Sequence, residues 1–425
     1  METILIIAAL VLLALLGAPL FSIFGALGLI AFHAAGIDTS ALIVELYRLT
    51  SAPSLMAIPL FTFAGYAMAE SKTPQRLVAL AQALFGWIPG GLAIVTLLTC
   101  AIFTAFTGAS GVTIVALGGL LLPVLVKEKY PEGFSLGLLT TSGSLGMLFP
   151  PSLPIILYGL IAKISINQLF VAGLLPGLLL IVALALYSTR PSITKNVSRI
   201  PFTLENAWKA IRGAAWEIPL PIIVIGGLYG GLFTATEAAV ITAMYVLIVE
   251  VFIYRDLKLF KDIPHVMQET MVLVGAIIVI LSCAMGLTNY LVDQEIPMKM
   301  FDMVRLFVSS KITFLILLNI FLLIMGMMDN FSAIIVVVPL IVPVAMAYEV
   351  NPVHLGVIFL TNLEIGFLCP PLGLNLFISS FRFNKPMGAV VRGTLPFIGI
   401  LLIALMIITY IPWLSLGLIQ WLNIQ

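Results

Sequence analysis

Two Pro-Pro pairs, Pro150-Pro151 and Pro370-Pro371, stand 220 residues apart, each inside a long apolar stretch. A proline ring clashes with the preceding turn and removes a backbone donor, so each pair breaks the helix it interrupts. The setting decides what such a break is for. Of 425 residues, 61% are hydrophobic and 9% charged, against about 25% charged in soluble domains. That composition excludes a soluble enzyme and a disordered chain, and describes an all-α polytopic membrane protein. Twenty basic residues against nineteen acidic ones leave no net field to attract nucleic acid. In hydrocarbon, backbone groups freed by a break cannot face lipid; they face protein or a wet cavity.

The apolar stretches read in order as spans, breaks and surface helices. Residues 3–16 carry no basic flank or cleavage site, so no signal peptide is expected. The run continues through Pro19 to about Ala35, as two short helices or one kinked helix. Residues 38–51 and 73–87 are amphipathic and suit the membrane surface, and 53–69 can span. Residues 92–106 and 112–126 are each too short for an ordinary span and flank a Gly/Ser tip, so 92–126 reads as a re-entrant hairpin. Residues 134–161 contain Gly143, Gly146 and Pro150-Pro151 and read as a broken helix; 168–187 is an ordinary span. Residues 188–213 hold five basic residues against Glu205 and read as a linker between halves 1–187 and 214–425.

The second half repeats the first. At the same spacing of 220, Ser110 matches Asn330, Pro123 matches Pro343, Gly146 matches Gly366, and Gly173 with Pro176 matches Gly393 with Pro396. Spans at 216–233, 236–254 and 268–290, with polar arms at 255–264 and 293–310, lead to a second hairpin at 312–347. A broken helix at 353–381 and a last span at 394–422 follow. Matched clusters at one spacing indicate duplication. Five crossings per half, an odd number, orient the halves oppositely, as in the inverted repeats of secondary transporters. With the linker cytoplasmic, fifteen of twenty Lys and Arg fall on the cytoplasmic side, Arg382 among them, and both termini are periplasmic.

Two tips and two breaks therefore meet near the membrane midplane. Thr107, Ser110 and Thr113 belong to the first tip, and Asp329, Asn330 and Ser332 to the second. Ser142, Ser144 and Ser152 belong to the first break, and Thr361, Asn362, Glu364 and Asn375 to the second. Hard oxygen ligands without thiolate or imidazole suit Na⁺, and helix N-termini favour an anionic group. Asp329, an acid deep in a hairpin, is either functional or a structural cap of its tip. Glu237 and Glu250 lie near span ends, and Gly118-Gly119 suits close helix packing. Cys100, Cys283 and Cys369 read as inert thiols rather than disulfide or metal partners.

Two rival readings compete with this one. Gly108-Ala109-Ser110-Gly111 matches the Gly-x-Ser-Gly of rhomboid-like intramembrane serine proteases, but His33, His265 and His354 fall at helix ends or loops. A channel accommodates broken helices, but amphipathic arms and an inverted repeat fit a moving carrier better.

The runs 106–112, 143–152, 328–332 and 362–375 together resemble the large membrane subunit of tripartite ATP-independent periplasmic (TRAP) transporters. The resemblance covers essentially the whole chain. It implies an elevator-type, Na⁺-coupled importer of organic acids in the bacterial inner membrane, with a fold similar to the divalent anion/sodium symporters. It also implies a four-helix small membrane subunit, here expected as a separate polypeptide, and a soluble periplasmic substrate-binding protein. Carried over by position, Ser110, Gly111, Gly143 and Gly146 would hold one Na⁺. Asp329, Asn330, Asn362 and Gly366 would hold a second, and Ser110, Ser152 and Asp329 would touch substrate. No arginine lies at these tips or breaks, and the hydroxyl-rich site favours sialic acid, with C4-dicarboxylates next.

Overall fold

The computed structural model describes residues 12–13, 18–40, 43–44, 47, 53–194, 202–308, 310–327 and 329–422. Most of the expected 3–16 and 38–51 helices lies outside these residues. Helix α1, Leu20–Ala34, starts directly after Pro19, where the sequence places a break. Among the described residues, six helices are long and apolar enough to cross a membrane, and one bent pair makes a seventh.

The first half continues with α2 (Ala57–Glu70), the amphipathic α3 (Thr73–Phe85), and the hairpin of α4 (Gly91–Thr107) and α5 (Ser110–Lys127). The first broken helix is α6 (Glu132–Ser142), a 3₁₀ turn (Leu145–Leu148) and α7 (Leu153–Ala162), bent by 43°. Then come α8 (Ile166–Thr194) and α9 (Leu204–Gly213). The expected linker is thus helical at both ends. α8 continues to Thr194, and α9 packs its one buried residue side, at Ala207, against α3.

The second half holds α10 (Pro219–Tyr229), α11 (Ala235–Ile248, extended by a π turn, Val249–Ile253), α12 (Asp262–Asp293) and α13 (Ile296–Arg305). Its hairpin is α14 (Lys311–Met325) and α15 (Asn330–Ala347). Its broken helix is α16 (Pro352–Gly366) and α17 (Leu374–Phe383). The last apolar stretch, expected as one span at 394–422, divides into α18 (Met387–Tyr410) and α19 (Trp413–Leu422). Pro412 explains the division, since it ends one helix and starts the next.

The helix bounds keep the spacing seen in the sequence: α5 and α15 are both 18 residues long and start 220 residues apart. Packing exchanges partners between halves. α1 packs on α12 while α2 packs on α11; α5 packs on α17 while α7 packs on α15. Several helices bury one stripe and expose another, whereas α16 is buried from Val353 to Gly366. On α14, Ile312, Ile316, Ile320 and Ile324 are exposed at every fourth residue, while Phe314, Leu315, Leu318 and Leu322 are buried.

An ion cluster ties the first-half arm to the second half. Arg76 of α3 pairs with Glu217, with Glu250 at 3.0 Å and with Asp256 at 2.5 Å. The Tyr254 ring covers the guanidinium at 3.8 Å. Glu250, expected at an interface, is buried in this cluster, and Glu237 closes a capping box with Thr234 at the start of α11. His354, expected at a helix end, begins α16 but is buried there. Its ring nitrogens lie 3.1 Å from Ser415 Oγ and 3.2 Å from the Thr409 carbonyl oxygen.

Candidate functional site at two hairpin tips and two helix breaks

The first tip is built from glycine and a bare helix end. Gly108 has φ +65°, which glycine adopts freely, and it turns the chain from α4 into α5. A Cβ there would fall 2.6 Å from Leu153, so the tip packs on the start of α7 beside Ser152. No side chain caps α5 or α7, and their first N–H groups remain available to an anion. The Ser110 hydroxyl turns the other way and donates to Asn375 Oδ1 at 2.7 Å. Asn375 Nδ2 in turn donates to the Thr140 carbonyl at 3.3 Å. One short path therefore joins the first tip, the first break and the second break.

The second tip differs in chemistry. Asp329 is the N-cap of α15: its carboxylate accepts from Ser332 N–H at 3.0 Å and from the Ser332 hydroxyl at 3.1 Å. Asp329 is exposed, whereas Asn330 behind it is buried. Asn330 Nδ2 lies 3.2 Å from Met147 Sδ in the 3₁₀ turn, so this tip reaches the first break. The equivalent helix ends thus present opposite electrostatics, bare N–H groups at α5 and a carboxylate at α15.

Of the four residues expected around a first cation, two come together. The Gly143 carbonyl accepts from Thr104 Oγ1 at 2.8 Å, and a Cβ on Gly143 would lie 3.3 Å from the Ser110 carbonyl oxygen. Thr104 Oγ1 is also 2.7 Å from Thr113 Oγ1. Gly111 instead meets Ile378 of α17, and Gly146 lets the 3₁₀ turn lie directly on the α4 backbone. In the second set, Asn362 Nδ2 donates to Asn319 Oδ1 at 2.7 Å and to the Ile358 carbonyl at 2.8 Å. Gly366 lies against the backbone of Gly326, where a Cβ would come within 2.6 Å of Cα. Thr104 and Asn319 escaped the sequence reading. Each is a polar residue within an apolar helix, with no signal of its own until its partner is placed.

Buried oxygen atoms without a hydrogen-bond partner concentrate here. Among the described residues, seven of ten such atoms belong to the tips and breaks: Thr107 Oγ1, Thr141 Oγ1, Ser152 Oγ, Asn330 Oδ1, Asn362 Oδ1 and both carboxyl oxygens of Glu364. Leaving a buried polar group unpaired costs about 1–3 kcal/mol, so this concentration singles out the tips and breaks as the candidate site. Nearby, Arg382 of α17 reaches α5, where its Nε donates to the Val115 carbonyl at 2.9 Å. Its guanidinium occupies the space left by Gly119, and the Phe383 ring fills that left by Gly118. Close packing thus accounts for the glycine pair.

Comparison with known proteins fits this arrangement. Residues 5–414 match the family described as "Tripartite ATP-independent periplasmic transporter, DctM component". The C4-dicarboxylate TRAP transporter large permease protein DctM of Pseudomonas aeruginosa is 36% identical over 403 residues, covering 94% of each chain. The isethionate TRAP transporter permease protein DctMQ of Oleidesulfovibrio alaskensis is 36% identical over 364 residues, 84% of this chain and 57% of that one. The ectoine large permease TeaC of Halomonas elongata is 31% identical over 398 residues, 93% of this chain and 91% of that one. The crystal structure of the Alcanivorax borkumensis YdaH transporter shares the fold, with a TM-score of 0.60, 14% identity and coverage of 89% and 88%. These matches span nearly the whole chain, and the chain belongs to the DctM family of TRAP transporter large permeases.

Proposed function

We propose that this membrane permease imports an organic acid together with Na⁺, the two tips and two breaks forming the binding site. The unpaired buried oxygens at those four places support the reading most directly, because hard oxygen ligands suit a hard monovalent cation. The Ser110–Gly143 neighbourhood would hold one Na⁺, and Asn330, Asn362 and Gly366 would contribute to a second. The bare N-termini of α5 and α7, with Ser110 and Ser152, would receive the carboxylate. Asp329 would contribute charge while capping α15. Movement would be of the elevator type, the hairpins and broken helices sliding against α1, α2, α11 and α12, with the two halves inverted in the membrane.

The partners would be a small four-helix membrane subunit and a soluble periplasmic protein delivering substrate. The location would be the bacterial inner membrane, with a cytoplasmic linker and periplasmic termini. For substrate, relatives are named for C4-dicarboxylates, isethionate and ectoine, which speaks for a small molecule carrying a carboxylate or sulfonate; the hydroxyl-rich site is what favours sialic acid.

The permease, reconstituted with its small subunit and binding protein, should take up radiolabelled succinate or N-acetylneuraminate only under an inward Na⁺ gradient. If two or more Na⁺ enter with one monoanion, each net charge gains about 2.3 kcal/mol per 100 mV of inside-negative potential. A valinomycin-set potential should then speed uptake. Undiminished uptake without Na⁺ ends the proposal.

A further inference from the structure

An open cavity of about 710 Å³ lies between α2, α3 and α12 on one side and α5 with α17 on the other. Gly111, next to the first tip, lines it, and so do Ala116 and Arg382 further along the same wall. Glu70 and Glu269 line the opposite wall, and Arg382 is the one basic residue among the described lining.

The guanidinium is held but not neutralised. Its Nε is fixed by the Val115 carbonyl, and Gly119 supplies its seat. No carboxylate among the described residues lies within ion-pair distance of it. Arginine has five N–H donors, so most remain free for a planar acceptor. The Ser110–Asn375 contact and the Arg382–Val115 contact join the same two helices, α5 and α17. At about 1.5 Å per residue, Ser110 and Gly119 stand roughly 13 Å apart along α5. Tip and guanidinium therefore keep their register in any motion that carries this helix pair as a unit.

We propose that Arg382 is an anion-binding station on the substrate path. It takes the carboxylate of an organic acid in a bidentate pair as that group leaves the first tip, while Glu70 and Glu269 repel the anion from the opposite wall. The assignment deepens the proposed function and rests on its reading that the cargo is an anion bound at the first tip.

The test uses Ala116→Cys in a chain whose Cys100, Cys283 and Cys369 are replaced by alanine. Methanethiosulfonate reagents bearing a sulfonate, a trimethylammonium or no charge measure reactivity. With Arg382 present the sulfonate reagent should be favoured. Arg382→Gln should lower the sulfonate-to-ammonium rate ratio about tenfold or more, and Arg382→Lys should retain most of it. An unchanged rate for the uncharged reagent verifies that the variants fold. Millimolar succinate should slow sulfonate labelling with Arg382 and not with Arg382→Gln. A ratio unchanged in Arg382→Gln overturns the proposal, as does an equal effect of succinate on both proteins. Since labelling needs no transport, its outcome is separate from that of the Na⁺-uptake experiment.

Discussion

Ser144 and Glu364 stand 220 residues apart in the chain and meet in the fold, the Ser144 hydroxyl lying 3.4 Å from the Glu364 carbonyl oxygen. Each lies shortly before its own break, and the contact brings the two broken helices together. Both residues are fully buried. The two breaks are thereby in direct contact.

Two residues beyond each lie Gly146 and Gly366, whose missing side chains allow backbone to touch backbone. Gly146→Ala and Gly366→Ala should each destabilise the protein by about 1–3 kcal/mol, the usual cost of overpacking. Gly399→Ala, with nothing within 4 Å of its Cβ, should change stability little. Thermal unfolding in detergent checks the comparison; equal midpoints for all three would remove the packing argument.

Asp329 can be separated into cap and charge. Asparagine caps helices as well as aspartate does, while alanine loses about 1 kcal/mol of cap. Asp329→Asn should therefore keep wild-type stability, whereas Asp329→Ala should melt lower. If the carboxylate takes part in transport, Asp329→Asn should cut uptake roughly ten- to a hundredfold at normal membrane abundance, the worth of a charge-assisted hydrogen bond. Normal uptake in Asp329→Asn leaves the residue as a cap alone.

Thr104 orients the Gly143 carbonyl and touches Thr113. Thr104→Val keeps the shape and removes the hydroxyl. The lost hydrogen bond, about 1 kcal/mol, should raise the half-saturating Na⁺ concentration about fivefold. Titrating Na⁺ in the uptake assay reads this; an unchanged midpoint would place the cation elsewhere.

Arg76 holds three carboxylates together, with its side chain 15% exposed. Arg76→Gln leaves them facing one another and should cost about 3 kcal/mol, as when one partner of a buried ion pair is lost. Adding Glu217→Gln should recover part of that loss. Thermal midpoints of the single and double variants decide it: a double variant less stable than Arg76→Gln would contradict repulsion as the cause.

The sequence by itself determined the membrane setting, the turns before Ser110 and Asn330, and the two breaks. Those features rest on local causes: apolar length against bilayer thickness, and proline or glycine interrupting the backbone hydrogen-bond ladder. The helix starts at Ser110 and Asn330 and the breaks at Pro150-Pro151 and Pro370-Pro371 fall where such causes put them. Tertiary structure alone decided the partners. Thr73 finds Glu250 across 177 residues, Ser110 finds Asn375 across 265, and Arg382 finds Val115 across 267. A polar residue in an apolar helix carries no mark of its partner, because the pairing energy depends on distance in space. The same holds for Asp329 and Ser110. Their matched positions announce two equivalent tips, but only the folded helix ends reveal one as capped by a carboxylate and the other as bare.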